Sequence, residues 1–65
     1  MDEMKYSVLV VDHHPLMRKG IVQLLELEDN IEVIGEASNG TDAVAMAKES
    51  EPDLILLDLN MKGLS

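Results

Sequence analysis

Residues 6–11 read YSVLVV, and from Val8 to Val11 the run has no polar position. A β-branched run of this kind suits a strand buried on both faces, as strands of parallel sheets are. Burial on both faces needs cover, and the cover has to come from the rest of the chain. The run stops at Asp12, and Pro15 follows. Proline fits the first turn of a helix, where its missing N–H has no helical partner. From Pro15 to about Leu27 the apolar residues Leu16, Met17, Ile21, Leu24 and Leu25, with Gly20 among them, fall on one helical face. Arg18, Lys19, Gln23 and Glu26 fall mostly on the other.

Glu28, Asp29 and Asn30 break that pattern. Ile31 to Ala37 (IEVIGEA) begins by alternating apolar and polar residues, which predicts a second strand. Ser38, Asn39 and Gly40 predict a turn. Asn39 or Thr41 can cap the next helix, with Asp42 favourably placed in its first turn. That helix is expected to run to about Glu49, packing through Ala43, Val44 and Ala47. Glu51, Pro52 and Asp53 predict another turn. Leu54 to Leu57 (LILL) could be helix or strand by periodicity, but its short length and the preceding Pro52 favour a buried strand. Leu59 to Ser65 reads as loop.

The expected order is β-α-β-α-β. Strands alternating with helices imply right-handed crossovers and a parallel sheet. A chain that crosses first one way and then the other gives strand order 2-1-3. Ligands then bind beyond the carboxyl ends of the strands, where the order reverses. Asp12 ends the first strand and Asp58 the third. Both should reach that switch point. Two close carboxylates repel unless a cation neutralises them, and a hard cation such as Mg²⁺ suits oxygen ligands. A carboxylate beside such a cation can act as a nucleophile toward phosphorus. The plainer alternative is that each Asp is a solvated loop residue or a helix cap, since Asp so often serves turns.

Composition narrows the function classes. The chain has 65 residues and no cysteine, so it is one small domain at most, without a disulfide or thiolate metal site. A domain of this size buries only ~60% of the surface that its unfolded chain exposes. The lack of cysteine fits a reducing cytosol, and a cytoplasmic location is expected. Tyr6 is the single aromatic residue, so the core must be aliphatic. A net charge of −8 argues against this chain gripping nucleic acid or an anionic membrane. The acidic start, Met1 to Tyr6, does not form a signal peptide, and no apolar run is long enough to span a membrane.

The stretches VLVVDHHPLMRKGIVQLLE, VIGEASNGTDAVAMA and PDLILLDLNMKGLS resemble the receiver domain of response regulators in the NarL/FixJ (LuxR-type) group, particularly its nitrate- and nitrite-responsive members. The resemblance runs from Tyr6 to Ser65 without gaps. It implies a flavodoxin-like (CheY-like) α/β fold and a signalling role rather than an enzymatic one. It also implies phosphoryl transfer from a sensor histidine kinase to Asp58. Mg²⁺ is implied at Asp58, at the backbone carbonyl of Asn60 and at the acidic pair after the first strand. In full-length members the outcome is control of transcription.

Two departures qualify this. The family reads Asp-Asp-His-Pro where this chain reads Asp12-His13-His14-Pro15. Imidazole is a poor ligand for Mg²⁺ and a better one for Zn²⁺, Mn²⁺ or Cu²⁺. One reading is a weakened Mg²⁺ site held by Asp12, Asp58 and Asn60. The other is that a protonated His13 partly replaces the cation beside Asp58. His14 matches the family's own histidine and is expected to be a helix-start residue without chemistry. The second departure is length. Residues 1–65 correspond to a partial receiver, lacking its last two strands and three helices. The later switch Ser/Thr and the phosphate-binding Lys have no counterpart, and Lys62 does not match that lysine. The group's helix-turn-helix domain is not expected within residues 1–65, so DNA contact by this chain alone is not expected.

The third strand should lack an outer neighbour and invite self-association. An inactive truncated remnant is the alternative function. A non-signalling metal- or nucleotide-binding α/β fragment fits less well, since Asp12-His13-His14-Pro15 stands where a Gly-rich phosphate loop would be.

Overall fold

The computed structural model describes residues 4–58. The apolar run at the start forms strand β1 (Tyr6–Val11), followed by helix α1 (Pro15–Glu26), strand β2 (Ile31–Ala37), helix α2 (Gly40–Ser50) and strand β3 (Leu54–Leu57). The three strands form one parallel sheet in the order β2-β1-β3. β1 is therefore central, as its unbroken apolar sequence requires. Leu9, Val10 and Val11 are the most deeply buried side chains of the chain's described part. Burying such a side chain contributes about 1.5–3 kcal/mol.

β1 divides its side chains between two cores because successive residues of a strand face opposite ways. Val8 and Val10 pack with Val22 of α1, backed by Ile21, Leu25, Ile31 and Val33. Leu9 and Val11 pack with Ala37 and with Ala43 of α2, backed by Met46 and Ala47. The two helices thus cover opposite faces of the sheet. Right-handed crossovers in opposite directions from a central strand require this. The register of β1 against β2 shifts between Val8, opposite Val33, and Leu9, opposite Gly35, so Ile34 is the extra residue of a bulge.

Local chemistry fixes the joints. Oδ1 of Asn39 accepts the backbone N–H of Asp42 at 2.8 Å, so Asn39 caps α2 and Thr41 lies within it. The helix ends at Glu51, which adopts the left-handed conformation at φ 48°. Pro52 follows and prevents continuation. At the opposite edge of the sheet from the strand carboxyl ends, Oδ2 of Asp53 accepts both the backbone N–H and the hydroxyl of Ser7, while the Asp53 N–H donates back to Ser7 Oγ. This clasp fixes where β3 begins beside β1.

Three packing expectations need correction. Leu16, Met17 and Leu24 of α1 are exposed, and Val22 is its buried contact instead. The apolar band on α1 is wider than the strip of sheet beneath it, so only the edge carrying Ile21, Val22 and Leu25 is covered. On α2, Val44 is exposed, and Met46 packs on the core with Ala43 and Ala47. LILL is a strand, but its four side chains are 43–58% exposed rather than buried. The helices lie over β1 and β2, leaving β3 uncovered among the described residues. The loop expected over Leu59 to Ser65, with Asn60 and Lys62, lies outside the described residues.

Candidate functional site at the carboxyl edge of the sheet

The ladder continues one residue past β1 on both sides. The Asp12 N–H donates to the Ala37 carbonyl at 3.0 Å, and the Asp58 N–H donates to the Val11 carbonyl at 3.0 Å. Backbone pairing therefore places both carboxylates at the carboxyl ends of adjacent strands. This is the switch point, because the chain leaves β1 toward β2 and returns past it to β3.

Asp12 is 4% exposed, the only buried charged residue among those described. Its Oδ1 accepts the His14 N–H at 2.9 Å. This is the Asx turn of an aspartate bonding to backbone two residues on, and it steers the chain into α1. The bond also holds the Asp12 carboxyl below its ordinary value of 3.8. Desolvation opposes that shift, while the His14 side chain and the charges of His14 and His13 reinforce it. Arg18, one turn into α1, donates from Nη1 to the Asp12 carbonyl at 2.8 Å and from Nε to Glu36 Oε1 at 3.1 Å. It ties the corner to β2.

The imidazoles complete the site. Nδ1 of His14 lies 3.2 Å from Asp12 Oδ1 and 3.8 Å from Asp58 Oδ2, and Nδ1 of His13 lies 3.5 Å from Asp58 Oδ2. The two rings stack at a tilt, with centroids 3.9 Å apart. Potential ligand atoms from Asp12, His13, His14 and Asp58 all fall within 4.8 Å of one another. A cleft of about 300 Å³ opens beside them, floored by Val10, Met17, Ile21 and Leu56.

Three of the residues singled out by sequence, Asp12, His13 and Asp58, come together. The fourth, Asn60, lies outside the described residues. Sequence reasoning underrated His14, whose backbone and ring both engage Asp12. It also placed Arg18 on the outer face of α1. The signal for His14 was present in the spacing, since Asp followed two residues later by a pre-proline residue fits an Asx turn. Nothing in the sequence pointed Arg18 at the Asp12 carbonyl.

The donor set fits Mg²⁺ only in part. Receiver domains hold Mg²⁺ at acidic residues, and two carboxylates suit it. Mg²⁺, however, demands oxygen ligands in near-ideal octahedral geometry, and half of the side chains gathered here offer nitrogen.

Comparison with known proteins agrees with this architecture. The family profile of the response regulator receiver domain matches residues 8–65. A nitrate/nitrite response regulator protein homolog of Haemophilus influenzae is 57% identical over 61 residues, spanning 94% of this chain and 29% of that protein. The nitrate/nitrite response regulator protein NarP of Escherichia coli is 53% identical, spanning 92% of this chain and 28% of its own length. The chain thus spans less than a third of these curated relatives. Among solved structures, the signal receiver domain of NarL from Mycobacterium tuberculosis superposes with a TM-score of 0.88 at 43% identity, over 94% of this chain and 49% of that one. RcsB from Salmonella enterica, bound to promoter rprA in the presence of phosphomimetic BeF3-, gives 0.83 at 26% identity, over 88% of this chain and 28% of that one. Strand order, site position and sequence all lead to one conclusion: the chain belongs to the response regulator receiver domain family.

Proposed function

We propose that this chain is the phospho-accepting part of a two-component response regulator, with Asp58 as the acceptor. The observation that carries the reading is the position of Asp58. The Val11 carbonyl anchors its N–H at the switch point, beside the buried Asp12. A carboxylate oxygen of Asp58 attacks the phosphorus of a phosphohistidine on a sensor histidine kinase. The P–N bond breaks, the departing imidazole takes up a proton, and an acyl phosphate forms on Asp58. Asp12 stays ionised beside it, and with Asp58 it provides the oxygen ligands for a divalent cation. The family resemblance adds the Asn60 carbonyl to that set. In place of the second acid, His13 leaves Mg²⁺ weakly held.

The whole regulator's role follows from its relatives as a proposal. The names of the relatives make nitrate and nitrite the first stimuli to test. Control of transcription would pass through a C-terminal DNA-binding domain, in the cytoplasm, since this acidic part is unsuited to holding DNA. On its own, the 65-residue chain self-associates through β3.

The deciding experiment is phosphorylation by acetyl phosphate or a nitrate-sensing kinase, followed by mass spectrometry. Label on Asp58, lost in Asp58→Asn, is expected. Label that persists in Asp58→Asn overturns the assignment. A folded chain that takes no label instead identifies an inactive remnant. Labelling that survives EDTA would favour His13 as a stand-in for the cation.

A further inference from the structure

We propose that the corner formed by Asp12, His13, His14 and Asp58 is a binding site for a borderline-soft divalent cation such as Zn²⁺ or Co²⁺, held in preference to Mg²⁺. The inference rests on the reading that this corner holds a divalent cation, and it specifies which chemical class of cation.

The donors are two imidazole nitrogens and two carboxylates, with ligand atoms mutually within 4.8 Å. Zn²⁺ takes such mixed nitrogen and oxygen sets, at about 2.0–2.2 Å per ligand and in tetrahedral geometry. Ligand atoms at those distances stand about 3.4 Å apart along the edges of the tetrahedron. The observed separations are 3.2 Å for His14 Nδ1 to Asp12 Oδ1, 3.5 Å for His13 Nδ1 to Asp58 Oδ2 and 3.8 Å for His14 Nδ1 to Asp58 Oδ2. Three of the edges are therefore already near the required length. The contact between His14 and Asp12 also fits a hydrogen bond, and those at 3.5 and 3.8 Å also fit ion pairs of a protonated imidazole; one cation shared by the four donors accounts for all three spacings together.

The scaffold favours a fixed site. Asp12 is buried and held through its N–H, its carbonyl and its Oδ1. Asp58 is held through its N–H. His13 and His14 sit on the short turn between β1 and α1, ring against ring. The imidazoles are half exposed, 44% and 57%, which leaves a route of entry for the ion. Nitrogen donors favour first-row transition ions, whereas Mg²⁺ gains nothing from them and gives up its water reluctantly. Of the four residues, His13 decides the preference, because it puts an imidazole where the family pattern has a carboxylate.

Visible absorption of Co²⁺ tests this on the 65-residue chain, with Zn²⁺ and Mg²⁺ as competitors and calorimetry for affinities. Co²⁺ should give the intense bands of a low-coordinate site, removed by equimolar Zn²⁺ and not by excess Mg²⁺. His13→Asp and His14→Ala should each weaken Zn²⁺ by at least the roughly 10–100-fold that loss of a mere outer-shell partner costs. His13→Asp should also tighten Mg²⁺. Circular dichroism in the same samples reports folding, and a gain of helix and sheet signal on adding Zn²⁺ also supports the site.

Mg²⁺ binding as tight as Zn²⁺ binding overturns the preference while leaving the cation reading intact. Zn²⁺ binding that ignores both histidine substitutions overturns it too. A chain that binds none of these ions, folded or not, overturns both readings.

Discussion

At the level of single residues, the site depends on aspartates whose surroundings differ. Asp12 is buried and its Oδ1 accepts a backbone N–H, whereas the side chain of Asp58 is 18% exposed on the cleft. Asp12 has a pH consequence with a definite sign. Its carboxyl is held below the ordinary value in the folded chain, chiefly by the His14 N–H. The folded state therefore binds fewer protons there than the unfolded state once the pH falls into that range. The stability that Asp12 contributes is complete above its unfolded value and is lost as pH falls through the lower folded value. In metal-free buffer, urea midpoints should drop on acidification below about pH 4 more steeply for the native chain than for Asp12→Asn. Asn still accepts the His14 N–H but does not titrate. Parallel curves for the two proteins would show that Asp12 plays no part. The residue types were readable in advance, but the role of His14 was not. A histidine before proline can be a mere helix start, and only the folded turn brings its ring to Asp12.

At the level of elements, the five segments were legible because local signals agreed. Strand-like runs ended at Asp12, Ser38-Asn39-Gly40 or Asp58, and helical stretches began with Pro15 or the Asn39 cap. The cap gives a test. Asn39→Ala removes the acceptor for the Asp42 N–H and should lower stability by about 1 kcal/mol, or roughly 4–8 °C in Tm for a domain of this size. Asn39→Asp should keep most of it. Thermal melts in which Ala and Asp behave alike would deny the cap its role. What the elements bury was less legible. The apolar positions of α1 span a broad band, and a helical wheel alone does not say which part of it meets the sheet. Val22 meets the sheet, while Leu16 and Leu24, equally apolar on the wheel, are exposed.

At the level of the whole molecule, the sheet formed by the described residues has a covered centre and an open flank. Val8 to Val11 are sealed on both faces, while Leu54 to Leu57 beside them stay about half exposed. Among the described residues no strand lies beyond β3, so its outer N–H and C=O groups and four apolar side chains form an edge that can pair with another chain. The 65-residue chain should sediment as a dimer or larger species. Leu54→Lys places a charge on the most exposed position of that strand, far from Asp58, and should shift the population to monomer while keeping its circular dichroism. A concentrated native chain that sediments as a cooperatively folding monomer would contradict this.

The sequence by itself determined the identity and order of the elements, the parallel sheet and the two acids at its carboxyl edge. These follow from local patterning, from the handedness of crossovers and from where each strand stops. It also showed His13 in the place of an acid. Only the tertiary structure decided that His13 and His14 both turn toward the carboxylates, that Arg18 ties Asp12 to β2, and that among the described residues nothing covers β3. The physical reason is distance along the chain. Asp12 and Asp58 are made neighbours by the ladder between β1 and β3, and Arg18 meets Glu36 only because α1 lies over the sheet. Asp12 and Asp58 could be picked out from where they stand in the sequence. The mixed nitrogen and oxygen chemistry around them became visible only once the strands were paired.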